Sequence, residues 1–315
     1  MIKRYYIKKI VVSLIAIFSL FLIYLIPNQE TIKLTEEIEY VDKEIKTSNI
    51  FLLDSNNRLG KTKIVTTKSK DVELAKELIN ALIIDSNMQD KIPNGFKAII
   101  PSNTKIKSVS LDNNIIKIEF NDYLLNTKRE LQEKIVESIV YTLTEIDSID
   151  KVIIFVDGKI LDKVNGKAIP TTLDRSFGIN KEYDIASKDN ISKTTIYYVS
   201  KFNDYTYYVP VTKINNDDSS KIEIIINELS SSNTYTPTLM SYLNSNTEIV
   251  STSIDKDTLN VEFNDYIFND VVDQTILEEV IYTICLSIED NYDVNNVVFS
   301  VNNKEIYKTV LKTLE

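Results

Sequence analysis

One pentapeptide, Glu-Phe-Asn-Asp-Tyr, occurs twice in this chain, at residues 119–123 and again at residues 262–266. Shorter matches lie around it in the same order: Ser-Asn-Thr at 102–104 and 245–247, Ser-Leu-Asp at 110–112 with Ser-Ile-Asp at 253–255, and, after a two-residue deletion, Tyr-Thr at 141–142 and 282–283. Four matches in one order indicate an internal duplication. Each copy spans about 112 residues, a normal size for a domain.

The pentapeptide ends a predicted strand. Ile116, Ile118 and Phe120 alternate with polar residues, as is typical of a strand with one buried face. Asp-Asn-Asn at 112–114 precedes this strand, and these residue types tolerate left-handed backbone. A hairpin over 105–120 is therefore predicted, and copy two repeats it over 248–263.

A predicted helix follows each hairpin. In copy one, Leu131, Ile135 and Ile139 lie on one apolar stripe, and Thr127 and Glu130 have the spacing of a capping box. Two short strands and an earlier helix precede the hairpin, and a buried strand follows the later helix. Each copy therefore has the predicted order β-β-α-β-β-α-β, an α+β fold in which helices cover one face of a mostly antiparallel sheet.

The N-terminus has the pattern of a membrane anchor. Basic residues in the segment 1–9 precede an unbroken apolar run over 10–26, which Pro27 ends. Seventeen helical residues would span roughly 25 Å, slightly less than the roughly 30 Å of bilayer hydrocarbon. No small-x-small cleavage site follows, so the pattern predicts an uncleaved transmembrane helix with its basic end in the cytoplasm.

The predicted organisation follows from the anchor and the duplication. The protein is expected in the cell membrane as a single-pass protein, with both copies outside. The segments are a cytoplasmic basic tail (1–9), the transmembrane anchor (10–26), a partly helical stalk (27–49), domain 1 (50–161), a linker (162–194), domain 2 (195–307) and a C-terminal tail (308–315).

The composition excludes several kinds of site. The chain has no His, no Trp, one Cys and five Gly. Because His is the common proton shuttle and metal ligand, and a lone cysteine forms neither a disulfide nor a thiolate metal site, we expect no metal, no cofactor and no enzymatic activity. Cys285 follows apolar helix residues and is predicted to be a small buried hydrophobe.

The charges differ between the two copies. The net charge of the chain is −10; residues 50–161 carry 16 basic and 16 acidic side chains, whereas residues 195–307 carry 5 basic and 18 acidic ones. Nucleic acid is therefore not an expected partner, because phosphates require Lys and Arg. A basic partner for copy two is the hypothesis, and an acidic surface that only maintains solubility is the alternative.

Five tyrosines cluster in the first predicted hairpin of copy two: Tyr197, Tyr198, Tyr205, Tyr207 and Tyr208. Side chains alternate between the two faces of a strand, so some of these rings should be exposed, and tyrosine is favoured at protein interfaces. Tyr197, Tyr205 and Tyr207 are the candidate partner contacts, with Tyr198 and Tyr208 as the comparison set. An ordinary amphipathic sheet is the alternative.

The aromatic residues of the repeated pentapeptide are predicted to fill the core, with a shared binding groove as the alternative. They are Phe120, Tyr123, Phe263 and Tyr266. Asp122 and Asp265 are expected to cap turns or helices rather than to bind calcium, because no dense spacing of oxygen ligands follows them.

Several segments together resemble GerM-type domains, which are extracytoplasmic modules of spore-forming bacteria. They are Pro-Ser-Asn-Thr at 101–104, Ile-Glu-Phe-Asn at 118–121, Val-Tyr-Thr-Leu-Thr at 140–144, the apolar strand 153–156 with Asp157-Gly158, and Val-Pro-Val at 209–211. Copy two departs from the pattern, because Asn302-Asn303 replaces Asp157-Gly158. The resemblance implies a role in sporulation and germination, and an α/β module like those that build rings in export and secretion assemblies.

The resulting hypothesis is a non-enzymatic, membrane-anchored extracytoplasmic scaffold that assembles with other sporulation or envelope membrane proteins, with homo-oligomerisation left open. One alternative is a binding or sensor module for peptidoglycan or a germination ligand, which would have a concave pocket lined by aromatic residues. Another is an acid-based cell-wall hydrolase, which would need two carboxylates about 5 to 9.5 Å apart across a cleft.

Overall fold

The computed structural model describes residues 4–24, 46–231, 238–270 and 272–313. The chain divides into two compact units, residues 1–44 and 45–315. In the first unit, one helix, α1, covers Arg4–Tyr24. Within the described part of the chain, no helix has both the length and the apolar character needed to cross a membrane. The predicted stalk helix lies outside the described residues, and the last residues of the predicted stalk belong to the first strand.

The second unit contains both copies, and each follows the predicted order β-β-α-β-β-α-β with added strands. Copy one comprises β1 (Thr47–Asp54), β2 (Leu59–Val65), α2 (Asp71–Leu82), β3 (Phe96–Lys97), β4 (Ile106–Asp112), β5 (Ile115–Phe120), α3 (Arg129–Leu143), β6 (Lys151–Val156) and β7 (Lys159–Ile160). The segment between the copies, here called the connector, contains β8 (Lys163–Val164), β9 (Lys167–Ala168) and β10 (Glu182–Asp184). Copy two comprises β11 (Ser192–Phe202), β12 (Tyr205–Asn215), α4 (Lys221–Ser230), β13 (Ile249–Asp255), β14 (Thr258–Phe263), α5 (Glu278–Asn291), β15 (Asn296–Val301) and β16 (Lys304–Val310). The added strands are β3 and β7 in copy one, and β16 in copy two.

Each copy has a four-stranded sheet, in the order β4-β5-β6-β7 in copy one and β13-β14-β15-β16 in copy two. The two central strands are parallel in both sheets, with Phe120 opposite Val156 and Phe263 opposite Val301. A helix, α3 or α5, connects those central strands, and parallel neighbours require such a crossover. The other pairings in these sheets are antiparallel.

The first hairpins of the two copies share a third, six-stranded sheet. Its order is β10-β12-β2-β1-β3, with β11 also paired to β12. The pairing between the copies is antiparallel and is made at one residue pair, Tyr208 opposite Lys61. The α+β class is therefore confirmed, but the strands of each copy are divided between its own sheet and a sheet common to both copies.

The later helix of each copy closes an edge of the shared sheet. The Phe51 amide donates to Thr142 Oγ1 (3.1 Å), and Ser138 Oγ donates to the Phe51 carbonyl (2.8 Å). In copy two, the Tyr197 amide donates to Ser287 Oγ (2.9 Å). Edge-strand groups that would otherwise be unpaired are thereby satisfied by hydroxyl side chains.

These bonds also correct the alignment of the copies. Thr142 corresponds in position to Ser287, not to Thr283, because both accept from the amide of the edge strand. Copy two therefore has two extra residues before α5 rather than a two-residue deletion. The earlier match was shifted by four residues, which is about one helical turn, so it preserved the apolar stripe.

The backbone geometry confirms the predicted turns but not the predicted helix cap. The hairpin turn of copy one has left-handed backbone at Asn113 (φ 49°) and Asn114 (φ 62°). Asn302 and Asn303 have the same left-handed backbone as Asp157 and Gly158, so the replacement keeps the tight turn. The capping box predicted at Thr127 is wrong, because α3 begins after Lys128 without a side-chain cap; the capping box of the described chain that the structure does show is Ser220 with Glu223, at α4.

Candidate functional site

The tyrosine hairpin belongs to the shared sheet, and most of its tyrosine rings are not at the protein surface. Tyr197 and Tyr207 are buried (0 % and 2 % exposed), whereas 41 % of Tyr205 is exposed. The prediction that all three rings are available to a partner is wrong for Tyr197 and Tyr207. Helices α4 and α5 pack against β11, and β12 pairs with β2 of copy one. Among the comparison residues, Tyr198 is buried and Tyr208 is half-buried.

Tyr197 and Tyr207 each bind a carboxylate inside the protein. Tyr197 donates its hydroxyl to Asp290 Oδ2 (3.0 Å), and Tyr207 donates to Asp54 Oδ2 (3.0 Å). Burial and the neighbouring carboxylates raise the pKa of both phenols, that of Tyr207 to about 12. The Tyr207 ring also lies against β2: a Cβ at Gly60 would approach it to 2.9 Å, which explains a glycine within this strand.

Arg175, from the connector, binds both copies. Its guanidinium pairs with Glu145, which follows α3, and with Asp290 on α5. Its Nε also donates to Thr144 Oγ1 (3.1 Å). Lys61 on β2 makes a second ion pair to Glu145 (3.0 Å). The carboxylates and cations are well shielded from water, so breaking one pair would leave a buried charge uncompensated.

The pKa of Glu145 reflects this arrangement. Burial alone raises the pKa of a carboxyl group, but Lys61 and Arg175 outweigh it and lower the pKa of Glu145 to about 2. Glu289, beside Asp290, shows the opposite balance: burial raises its pKa although Lys61 and Arg175 lower it in part. Glu145 and Asp290 are both bound to the arginine.

A second connector residue, Asn180, joins the strands of the two copies where their backbones do not pair. Its Nδ2 donates to the carbonyls of Leu59 (2.9 Å) and Pro210 (2.8 Å), and its Oδ1 accepts from the Leu59 amide (2.9 Å). Proline has no backbone N–H, so Pro210 cannot donate to β2. The asparagine amide replaces the missing part of the ladder, and Asn180 holds this position with left-handed backbone (φ 46°).

Helix α3 and β12 fix the connector in place. Glu137 Oε2 accepts from the Asn180 amide (2.9 Å), and Lys181 pairs with Glu133 (2.7 Å) and Glu137 (3.5 Å). Between these contacts, Ile179 and Thr212 exchange two hydrogen bonds of 2.9 Å. The residues that join the copies, Arg175 to Lys181 together with their partners, are here called the seam.

A cavity of about 520 Å³ opens at the seam. Both copies and the connector line it, with side chains that include Lys61, Glu145, Arg175 and Glu289. Its walls carry more acidic than basic groups. Within the described residues, no group of three or more His, Cys, Asp or Glu is placed to hold a metal ion.

The repeated pentapeptide has the same role in both copies up to its third residue. Phe120 and Phe263 are fully buried, as predicted. Asn121 accepts from the Lys105 amide (2.9 Å) and donates to the Asn103 carbonyl (3.0 Å); Asn264 makes the same two contacts, to the Glu248 amide (3.2 Å) and the Asn246 carbonyl (2.9 Å). The asparagine therefore ties the end of the strand to the preceding loop in each copy.

The last two residues of the pentapeptide differ from expectation. Tyr123 and Tyr266 are exposed (40 % and 52 %), so the prediction that they fill the core is wrong. The strand has ended, and the chain turns outward after the asparagine. Asp265 Oδ1 accepts from Asn302 Nδ2 (3.1 Å) rather than capping the short 3-10 turn that it begins. Cys285 is buried, as predicted, and burial raises the pKa of its thiol.

The family described as "Germane: Sporulation and spore germination" matches residues 49–162 and 195–307. This chain belongs to the Germane family. It is 32 % identical to the spore germination protein GerM of Bacillus subtilis (strain 168) over 265 residues, covering 81 % of this chain and 71 % of that protein. The resemblance inferred from the motifs is confirmed.

The solved structures agree with this assignment. The tandem GerMN domains of the sporulation protein GerM from Bacillus subtilis have a TM-score of 0.74 and 30 % sequence identity to this chain. The match covers 82 % of this chain and 92 % of that structure. The paired arrangement of copies in this Germane protein is therefore similar to that of the tandem GerMN domains.

Arg175 and Asn180 are the residues that the sequence did not identify. They lie in the segment that composition assigned to a linker, between Pro170 and the tyrosine hairpin. Two signals point toward the seam: Gly60 within β2, and Pro210 within β12. Glycine in a strand often marks close approach of other groups, and proline marks a backbone position that cannot donate to a neighbour.

Proposed function

We propose that this Germane protein is a membrane-attached, non-enzymatic scaffold that acts in sporulation or spore germination. One observation carries the proposal: the copies share a sheet, and Arg175 and Asn180 bind both of them. Two domains on a flexible linker would move independently. A buried seam instead holds the two copies at one relative orientation. A scaffold protein needs such a fixed orientation to position its partners.

The free sheet edges supply the docking surfaces of the proposed scaffold. Strand β13 lies at the edge of the four-stranded sheet of copy two, and Val250 and Ile254 on it are 62 % and 57 % exposed. An edge strand offers unpaired backbone groups to another chain. The 18 acidic and 5 basic residues of copy two favour a basic partner at this surface.

Membrane attachment is the second part of the proposal. It is supported by the basic residues of the segment 1–9, the apolar run over 10–26 and the exposed apolar side chains along α1, among them Leu14, Phe18 and Leu20. With the basic end in the cytoplasm, both copies lie outside the membrane. The partners are then other sporulation or envelope membrane proteins, or further copies of this chain.

Proximity labelling in sporulating cells tests the scaffold. The full chain carries the labelling enzyme at its C-terminus, and a Val250→Lys, Ile254→Lys double variant is compared with Val65→Lys, which alters an exposed residue of copy one. We expect a small set of envelope proteins to be labelled by the unaltered chain and by Val65→Lys, and to be lost with the β13 variant. Identical labelling by all three would contradict docking at β13.

The same cells test attachment. The unaltered chain should remain in the membrane fraction after a high-salt wash and should retain its own N-terminal residues. A soluble form that begins near residue 28 would show that the N-terminal segment is removed, and would overturn the anchoring part of the proposal.

A further inference from the structure

The shared sheet opens on one side of its single inter-copy pair. Beyond Tyr208 and Lys61, strands β12 and β2 separate, and a cavity of about 210 Å³ lies between them. The tyrosine cluster that the sequence singles out lines it: Tyr205, Tyr207 and Tyr208 from β12, joined by Tyr282 from α5. Residues at odd and even positions of β12 face opposite sides of the sheet, so the cavity reaches side chains of both faces.

The rings form two nearly parallel pairs. Tyr208 and Tyr282 stack at 5.5 Å between centroids with an angle of 8° between planes, and Tyr205 lies 6.3 Å from Tyr207 at 16°. Tyr208 and Tyr282 are each half-buried, and 41 % of Tyr205 is exposed. Tyrosine combines an apolar ring face with a polar hydroxyl, so these walls suit a ligand that is itself flat and rich in hydroxyl groups.

Two of the charged residues that line the cavity are available to bind a ligand. Lys61 is engaged by Glu145, and the Tyr205 hydroxyl by Thr62 Oγ1 (2.8 Å). Lys63 and Glu278, by contrast, are exposed and make no ion pair or hydrogen bond within the described residues. An ammonium group can pair with a carboxylate of a ligand, and a carboxylate can accept from its hydroxyl or amide groups.

The size restricts the ligand further. The volume is below the roughly 300–1,000 Å³ of sites for drug-sized molecules. It suits one unit of a longer molecule, with the remainder running past Tyr205 and Lys63 at the exposed side. The tyrosine ring faces, the exposed ammonium of Lys63 and the exposed carboxylate of Glu278 together match an acidic amino sugar within a glycan strand.

We propose that the cavity lined by Tyr205, Tyr208, Tyr282 and Lys63 binds a glycan at a sugar that carries both an acetamido group and a carboxylate. In this site the tyrosine rings contact the C–H face of the sugar, Lys63 pairs with its carboxylate, and Glu278 accepts from a hydroxyl or amide. With this site, the protein would act as the binding module that the sequence offered as an alternative function. The proposal does not rest on the scaffold role.

Isothermal titration of the full chain in detergent tests the site. The acidic probe is the disaccharide N-acetylglucosamine–N-acetylmuramic acid, and the uncharged probe is chitobiose. We expect both to bind, the acidic probe more tightly. Lys63→Gln should weaken the acidic probe by up to about fivefold, as for an exposed charge pair, and leave chitobiose unchanged. Tyr282→Leu should weaken both probes by up to about tenfold.

Matched controls separate binding from folding. Lys117→Gln removes an exposed lysine on β5, away from the cavity, and should bind both probes like the unaltered chain. Circular dichroism and the melting temperature confirm that each variant is folded. No binding of either sugar at millimolar concentration, equal affinity in Lys63→Gln and Lys117→Gln, or binding of a zwitterionic amino acid in place of the sugars would overturn the proposal.

Discussion

The two copies share one order of strands and helices but leave different surfaces open. On β4 of copy one, Val109 and Leu111 are partly buried and pack against the core. On β13 of copy two, Ile254 occupies the position of Leu111 and is 57 % exposed. The earlier helix is also shorter in copy two, 10 residues against 12. The two copies therefore share an architecture, but the side chain at this position of the edge strand is packed in copy one and exposed in copy two.

The last strand of the sheet is shorter in copy one than in copy two. In copy one, β7 has two residues, and the connector adds an antiparallel bridge between Leu173 and Val152. In copy two, β16 runs for seven residues and is followed by the buried Leu311. The structure of copy one therefore depends on the connector, whereas copy two completes its sheet with its own C-terminal residues. The segment first assigned to a linker is structural support for the first copy.

Removing the contacts of Arg175 with the two copies should have the largest effect on the stability of the protein. Arg175→Leu leaves Glu145 and Asp290 buried without their shared cation, so we expect the free energy of unfolding to fall by about 3–5 kcal/mol. Urea denaturation followed by circular dichroism measures it. With the seam weakened, the copies should unfold in two transitions; Arg175→Lys, which keeps a charge, should retain part of the stability. A single unchanged transition in Arg175→Leu would contradict this role.

Removing the asparagine bridge should have the next largest effect. Asn180→Gly leaves the Leu59 amide and two carbonyls without their partner, and should cost about 2 kcal/mol of the free energy of unfolding. Glycine accepts the left-handed backbone, so this variant isolates the loss of the amide. Asn180→Ala should be less stable by roughly 1 kcal/mol more, because its Cβ disfavours that backbone. If both variants unfold like the unaltered chain, the bridge is not needed.

The acidic residues of the seam should respond to pH in opposite ways. Glu145 has a folded-state pKa of about 2, below its unfolded value of about 4.3, so its contribution is present above that value and is lost as pH falls toward 2. Glu289 has a raised pKa, so its charge opposes folding at neutral pH. At pH 7, Glu145→Gln should lower the free energy of unfolding by about 2 kcal/mol, and Glu289→Gln should raise it by about 1 kcal/mol.

Urea denaturation at pH 7 and pH 3 checks these signs. The penalty of Glu145→Gln should shrink at pH 3, because the carboxyl group of Glu145 is then mostly protonated in the unfolded chain while it keeps its charge in the folded one. The gain from Glu289→Gln should also shrink there, since Glu289 is then protonated. A penalty that is equal at both pH values would argue against an electrostatic role for Glu145.

Substitutions on the two edge strands, β4 and β13, should have the smallest effects on stability, and the two effects should differ. Leu111→Ser removes a half-buried side chain and should cost about 1 kcal/mol, whereas Ile254→Ser removes a mostly exposed one and should cost under about 0.5 kcal/mol. Thermal unfolding of the two variants side by side measures the difference. Equal losses would mean that β13 is covered in solution, for instance by a second copy of the chain.

Local structure could be predicted from the sequence because its causes are local. The alternation of Ile116, Ile118 and Phe120, the apolar stripe of α3 and the turn at Asn113-Asn114 all depend on residues within a few positions of one another. The family could be recognised for the same reason, since its motifs are such local patterns.

The candidate site could not be predicted because it depends on pairing between distant strands. The sequence shows alternating tyrosines but not which strand lies beside them, and the pairing of Tyr208 with Lys61 fixes the faces of the sheet on which Tyr207 and Tyr208 lie. A one-residue shift in that pairing would exchange the two faces. Arg175 and Asn180 act through contacts with both copies, so no short window of sequence contains their function.

The shared sheet also affects how the protein reaches its native state. The contact between Thr62 and Tyr205 joins residues 143 apart in the chain, and that between Asp54 and Tyr207 joins residues 153 apart. High contact order slows folding, because a long loop must close before such contacts form. During synthesis, copy one emerges first and must wait for β12 to cover β2. For that interval Gly60 on β2 and Phe96 on β3 lack the tyrosine rings that pack against them, so chaperone binding to the newly made chain should be concentrated on this part of copy one.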